Sequence, residues 1–274
     1  MAGFRRADLR VDTKPDLTPV SEADHAAEEV IRSGVVEARP GDAVLGEEHG
    51  TTGSGNRRWI VDPIDGTKSY VRGLPVWATL IAVEVDGTHT VGVASAPALG
   101  RRWWAARGLG AFAAAPAAPG APGAPGTPGT PGTPGAPAVQ GAEGTPIRVS
   151  AVRALSDAQL SGSTLRDWEP HGGVGRVLAL AMRCWRDRSF GDFWSHVLVA
   201  EGACDIGLDP TASLWDLAAL QVIVEEAGGR FTDLSGMDRA DGGSAVSTNG
   251  LLHAEVLGLL TGNAGVSPPG PAGV

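Results

Sequence analysis

The sequence predicts a layered α/β protein, on three observations. Strand-like and helix-like segments alternate along the chain without a strict repeat. Hydrophobic residues make up 42% of the 274, material for the core of one large domain or two small ones. Strand-like runs such as "DAVLGEEHG" and "RRWIVDPID" leave acids at their carboxyl ends.

Taken in order, "SEADHAAEEVIRS" reads as a helix. Ser21 caps it with Asp24 three residues on, and Ala23, Ala26, Ala27, Val30 and Ile31 form the expected apolar stripe. "DAVLGEEHG" is a short strand running into a loop, "RRWIVDPID" a longer strand. "LPVWATLIAVEVDGTHTVGVASAP" is a hairpin around Asp86-Gly87. "GLGAF" and "TPIRVSAV" are strand-like pieces, separated by a Pro/Gly-rich run from Ala113 to Gly144. Glycine recurs there every third residue from Gly120 to Gly135, but six triplets are too few for a stable triple helix. The run is expected to be a disordered, partly polyproline-like insertion into a hairpin, at about residues 113–144, with no part in catalysis.

In the second half, "FWSHVLVAEGACDIGLD" is a helix passing into a strand. "SLWDLAALQVIVEEAGGRF" has helical spacing at Leu217, Leu220, Val224 and Ala227 and stops at Gly228-Gly229. "GSAVSTNG" is a late strand, "LLHAEVLGLLTG" a last helix, and the tail, residues 265–274, is expected to fray.

The formal net charge of −9, with no Lys/Arg block to offset it, argues against a nucleic-acid surface. Cys184 and Cys204 sit in apolar-rich surroundings without a C-x-x-C pairing and read as buried free thiols. "MAGFRRADLR" lacks the apolar core of a signal peptide and no run approaches a membrane span, so a soluble cytoplasmic protein is expected. The six histidines, His25, His49, His89, His171, His196 and His253, are scattered and none is assigned to catalysis. Trp103 and Trp104 are assigned to the core.

Chemistry concentrates in "WIVDPIDGTKSY". Alone, Asp62 and Asp65 could be the polar end of a strand. Pro63 between them forbids a helix and fixes the backbone, so both carboxylates can turn toward one point. Gly66 permits close backbone approach and Thr67 offers a hydroxyl where a helix begins. Paired carboxylates with a carbonyl oxygen suit a hard cation such as Mg²⁺, and no His/Cys cluster has zinc spacing. Glu47 and Glu48 in "GEEHG" supply a third acid and Asp216 in "SLWDLAAL" a fourth. Ser213-x-x-Asp216 is also a capping box, a role compatible with an anion at the helix N-terminus.

These segments, "WIVDPIDGTKSYVRGLP", "LGEEHG" and "LWDLAALQVIVEEAGGRFTD", resemble the two signature motifs and the connecting acid of the inositol monophosphatase family. The resemblance runs from about Asp12 to Leu260, outside the Pro/Gly run. "FGDFWSHVLVAEGACDIGLDPTASLWD" looks most like the histidinol-phosphatase branch found in actinobacteria. It implies one domain over residues 1–274 with the αβαβα sugar-phosphatase fold, acting as a Mg²⁺-dependent phosphomonoesterase on a small phosphate ester.

By motif, Glu47, Asp62, the Ile64 carbonyl, Asp65 and Asp216 are the implied ligands of two or three Mg²⁺ ions. The implied catalytic residues are Glu47, Thr67 and Asp65, with Glu47 and Thr67 positioning and activating the attacking water. Amides of Gly66 and Thr67 cradle the phosphate, and Glu48 stands behind the ligands. Asp209 lies seven residues before Asp216, where the family places a substrate-facing acid. The ammonium and imidazole of histidinol phosphate ask for acids and aromatics, so Asp209, Asp192 and Trp194 are the expected contacts. Lys14 matches a family position near a mobile active-site loop that helps bind a third metal, and a homodimer is expected because family members commonly form one.

Two departures stand out. Ser69-Tyr70 replaces the usual Asn-Phe, which alters packing but leaves the ligands intact. Relatives carry a helix before "FRRADLRVDTKPD", which suggests a misassigned start or a truncated product, and loss of that helix is expected to expose apolar surface and weaken folding or dimer formation. The rival functions are inositol-1-phosphatase, a 3′-phosphoadenosine-type nucleotidase, and a non-catalytic metal- or phosphate-binding protein. The intact set Glu47, Asp62, Asp65, Thr67 and Asp216 argues against the last.

Overall fold

The computed structural model describes residues 3–6, 8–14, 19–114, 144–170 and 173–262. Expectations about the bulk of the Pro/Gly run, the tail, His171 and the loop at 15–18 lie outside the described residues.

A small hairpin, β1 (Val11–Thr13) with β2 (Pro19–Ser21), leads into α1 (Glu22–Ala38). Ser21 caps α1 in the expected box: its hydroxyl accepts from the Ala23 amide, and its own amide donates to Asp24 Oδ2 at 2.8 Å. The stripe differs from the expected one. Val30 is 73% exposed and Ala26 is exposed, whereas Asp24, Glu28 and Val35 are buried. Both buried acids have partners, Asp24 the Ser21 hydroxyl and Glu28 the Arg32 guanidinium and Glu48 amide, so burying them does not orphan a charge.

The first sheet is built from β3 (Ala43–Gly46), β4 (Gly50–Thr52), β5 (Arg57–Asp65), β6 (Ala78–Val85), β7 (Thr88–Ala96), β8 (Arg101–Ala106), β9 (Gly110–Ala114) and β10 (Thr145–Ile147), with α2 (Thr67–Val71) after β5. Its order is β10-β9-β8-β7-β6-β5-β3-β4, parallel only between β3 and β5. Asp86 and Gly87, both at positive φ, make the tight turn between β6 and β7. β9 and β10 pair antiparallel with Ala113 opposite Thr145, and Ala113 and Ala114, at the start of the Pro/Gly run, belong to β9.

The second sheet takes β11 (Gln159–Gly162), β12 (Arg186–Arg188), β13 (Ile206–Asp209), β14 (Arg230–Thr232) and β15 (Ala245–Thr248) in the order β12-β11-β13-β15-β14. Between these run α3 (Val174–Ala181), α4 (Asp192–Ala200) and α5 (Leu214–Glu226), and α6 (His253–Thr261) closes the described chain. α1 covers the outer face of the first sheet, α4 and α5 fill the space between the sheets, and α3 with α6 covers the far side. This is the five-layer αβαβα arrangement the resemblance implied.

Leu217 to Val224 of α5 are all buried, not one stripe of them, because the helix is sandwiched between two sheets. Trp103 is fully buried against Phe193, while Trp104 is only partly buried and stacks on Phe112. Both cysteines are free; Cys204 is buried and Cys184 partly so.

Candidate active site

β5 ends in a bulge. Its pairing with β6 runs to Asp62 opposite Leu80 and resumes at Asp65 opposite Ala78, leaving Pro63 and Ile64 out of the ladder. Pro63 has no amide to lose, and its carbonyl accepts from Thr79 Oγ1 at 2.8 Å. The Ile64 amide donates to Asp62 Oδ1 at 2.9 Å. The bulge thereby turns two acids of one strand toward the same side.

Asp216 reaches them from the first turn of α5, where its Oδ2 accepts from the Ser213 amide at 2.7 Å in the expected capping box. Asp62, Asp65 and Asp216 each present a ligand atom, all within 4.8 Å of one another. Burial first, then the neighbouring Asp65 and Glu47, push the Asp62 carboxyl well above its usual range. Burial and Asp192 do the same to Asp65. Burial raises Asp216 to about 7 although the Ser213 amide opposes it. Three hard oxygen donors, a nearby carbonyl and a shortage of positive charge suit Mg²⁺, and among the described residues no sulfur or imidazole lines the cavity.

Glu47 faces the same cavity, of about 580 Å³, from the loop after β3. It is not part of the tight acid cluster, because Lys14 Nζ holds Glu47 Oε1 and Glu48 Oε1 at 2.7 Å each. Burial raises the Glu47 carboxyl and Lys14 only partly offsets it. Burial works against the Lys14 ammonium, but its bonds to the two glutamates raise its pKa.

Thr67 opens α2. Its hydroxyl lies 2.9 Å from the Ile64 carbonyl and 3.3 Å from Asp24 Oδ1. Gly66, just before it, has φ 81°, and a Cβ there would stand 3.1 Å from Asp192 Oδ2. Asp192 opens α4, whose next amide, Phe193 N, donates to Asp65 Oδ2 at 2.7 Å. Burial raises Asp192 to about 6, with Asp209 adding to the effect and Lys68 opposing it. Asp209, at the end of β13, lines the adjoining cavity with Asp192, Asp65 and Lys68.

The N-termini of α2, α4 and α5 thus all open on these acids. The positive dipole ends of α4 and α5 make the cavity receptive to an anion despite its carboxylates.

Trp194 is not brought to this place. It packs on Phe190, ring centroids 5.2 Å apart, and lines neither cavity. On α4 it lies two residues beyond Asp192, and that rotation takes it off the cavity face. Conversely, sequence reasoning missed the contact of Asp24 with Thr67, the buried Glu28 beneath the Glu48 and His49 amides, and the contact of His196 with Asp209. For Asp24 and Glu28 the only signal was a pair of acids at i and i+4 on a helix otherwise rich in alanine.

The sequence profile of the Inositol monophosphatase family matches residues 2–262. The chain belongs to the inositol monophosphatase family. Within that family it is similar to the histidinol-phosphatase of Mycobacterium tuberculosis, 53% identical over 264 residues that cover 96% of this chain and 91% of that protein. It is 47% identical to the histidinol-phosphatase of Streptomyces coelicolor, covering 95% and 90%. Among solved structures, the Thermotoga maritima IMPase superposes with a TM-score of 0.78 at 28% identity, covering 95% of this chain and 90% of that one. The Ser69-Tyr70 departure is accommodated: Tyr70 is buried edge-on against Trp77, ring centroids 4.9 Å apart.

Proposed function

We propose that this phosphoric monoester hydrolase converts histidinol phosphate to histidinol and phosphate in histidine biosynthesis, with Mg²⁺ as cofactor. The observation that carries the chemistry is three carboxylates within 4.8 Å of one another at the mouths of three helix N-termini. The similarity to two histidinol-phosphatases, at 53% and 47% identity, supports the substrate.

In this reading Asp62, Asp65, Asp216, Glu47 and the Ile64 carbonyl hold the cation, two or three of them per site. Bound Mg²⁺ supplies positive charge for the phosphate oxygens and acidifies water. Glu47, raised by burial, accepts the proton of the attacking water, which the Thr67 hydroxyl orients. Asp65 is steadied for its part by the Phe193 amide. Amides of Gly66 and Thr67 have no carbonyl of their own helix to reach and receive the phosphate. Asp192 and Asp209 face the ammonium and imidazole of the leaving group. Trp194 packs at a tilt on Phe190 and is given no role here. Among the described residues no helix is long and apolar enough to cross a membrane, and a homodimer in the cytoplasm completes the reading.

Phosphate release from histidinol phosphate, inositol phosphate and phosphoadenosine phosphate, with Mg²⁺ or with EDTA, tests it. Histidinol phosphate is expected to react fastest, EDTA to stop release, and Asp216→Asn to lower kcat/KM at least about a hundredfold. Preference for either other ester, or release that survives EDTA, overturns the reading.

A further inference from the structure

We propose that His196 is a positioning residue that tunes the enzyme to a cationic leaving group by holding Asp209. The inference rests on the reading of Asp209 as a substrate-facing acid. His196 lies in the middle of α4, fully buried, and both ring nitrogens are engaged. Nε2 is 2.8 Å from Asp209 Oδ2 and Nδ1 is 2.7 Å from Ser247 Oγ.

Asp209 Oδ2 can only accept, so Nε2 at 2.8 Å carries the proton, and Nδ1 accepts from the Ser247 hydroxyl at 2.7 Å in preference to the Gly207 carbonyl at 3.5 Å. The imidazole is then the Nε2–H tautomer, and that N–H donates to Asp209. The relay links β15, α4 and β13, and the fold leaves space for it. A Cβ on Gly207 would stand 2.5 Å from Ser247 Oγ and 3.3 Å from His196 Nδ1. Phe231 closes one side of the ring, centroids 5.7 Å apart.

Serine, histidine and aspartate in one line suggest a nucleophile, but burial rules it out. Ser247 is fully buried and lines neither cavity, so no ester reaches its oxygen. The end that meets the cavity is Asp209. One of its oxygens is tied to the ring, and among the described residues no hydrogen bond reaches the other. A carboxylate fixed in this way presents its free oxygen in one direction, beside Asp192. A protonated amine gains from that; a leaving group without positive charge gains little. The effect therefore belongs in the affinity for a cationic ester, not in the phosphate chemistry.

The test compares histidinol phosphate with 4-nitrophenyl phosphate in steady-state kinetics. His196→Leu is expected to raise KM for histidinol phosphate about tenfold with kcat changed less than about threefold, so that the selectivity ratio falls about tenfold. His196→Gln, whose amide nitrogen replaces Nε2, is expected to restore most of it. Equal losses on both esters, a fall in kcat alone, or no rescue by glutamine overturns the proposal. Should His196→Leu not fold, Ser247→Ala frees the ring at Nδ1; about a threefold rise in KM is expected, and none overturns the proposal. Wild-type enzyme without preference for histidinol phosphate sinks the substrate reading and this one together. A wild-type preference that the variants leave intact sinks this one alone.

Discussion

Asp192 takes a left-handed backbone, φ 49°, at the first position of α4 and carries a carboxyl raised to about 6, chiefly by burial. A carboxyl whose folded pKa exceeds its unfolded value costs stability when it ionises. That cost is absent below about pH 4, grows as pH rises through about 6, and is complete above it. Asparagine keeps the shape, tolerates the left-handed backbone and removes the charge. In EDTA, Asp192→Asn is therefore expected to melt about 2–4 °C higher than wild type at pH 7.5, the shift that ~1 kcal/mol gives a chain of this size. At pH 4 the two should melt together; an equal gain at both pH values refutes the charge argument. The placement of Asp209 at the cavity was legible from its spacing, seven residues before Asp216, and that of Asp192 from the acids a cationic leaving group asks for. Trp194 misled because an aromatic's side of a helix is set by packing partners, here Phe190, that no local pattern announces.

Among the elements, β5 and α5 were legible because what shapes them is local: a proline at the strand's end, a Ser-x-x-Asp cap, a glycine stop. The inward face of α1 was not. Glu28 is fully buried, and its carboxylate accepts from the Glu48 amide at 2.7 Å, the His49 amide at 3.2 Å and Arg32 Nε at 2.6 Å. Two of those partners lie about twenty residues downstream, outside any helical window. Arg32 extends the same clasp to the Thr52 hydroxyl and the Gly50 carbonyl, so one helix fixes the whole loop that carries Glu47. Glu28→Gln leaves the guanidinium without its counter-charge and is expected to cost about 3 kcal/mol in urea denaturation. Arg32→Met added to it should recover part of that loss, since the orphaned cation is then gone. A single variant as stable as wild type shows that the clasp is incidental.

Across the whole molecule, the site takes acids from each of the three inner layers. Asp62 and Asp65 come from the first sheet, Asp216 from the helix layer between the sheets, and Asp209 from the second sheet. The motifs made this convergence legible, but not that Lys14 holds Glu47 apart from the other acids, because salt-bridge geometry has no sequence period. Acids contributed by separate layers repel one another, which is why burial and neighbours raise Asp62, Asp65 and Asp216. A cation bound among them joins the layers, so it stabilises the fold as a ligand of the native state alone. At a hundredfold excess over its Kd that amounts to about 2.7 kcal/mol, or a rise of about 5–10 °C in Tm. Mg²⁺ titration followed by thermal unfolding, with NaCl at matched ionic strength as reference, should give that rise. Protons compete for the same oxygens, and Asp216 is raised to about 7. The Mg²⁺ concentration needed should therefore increase as pH falls from 8 to 6. Asp216→Asn removes one donor and should shift the titration to higher Mg²⁺. A melting rise that this variant leaves unchanged would locate the cation away from the three acids.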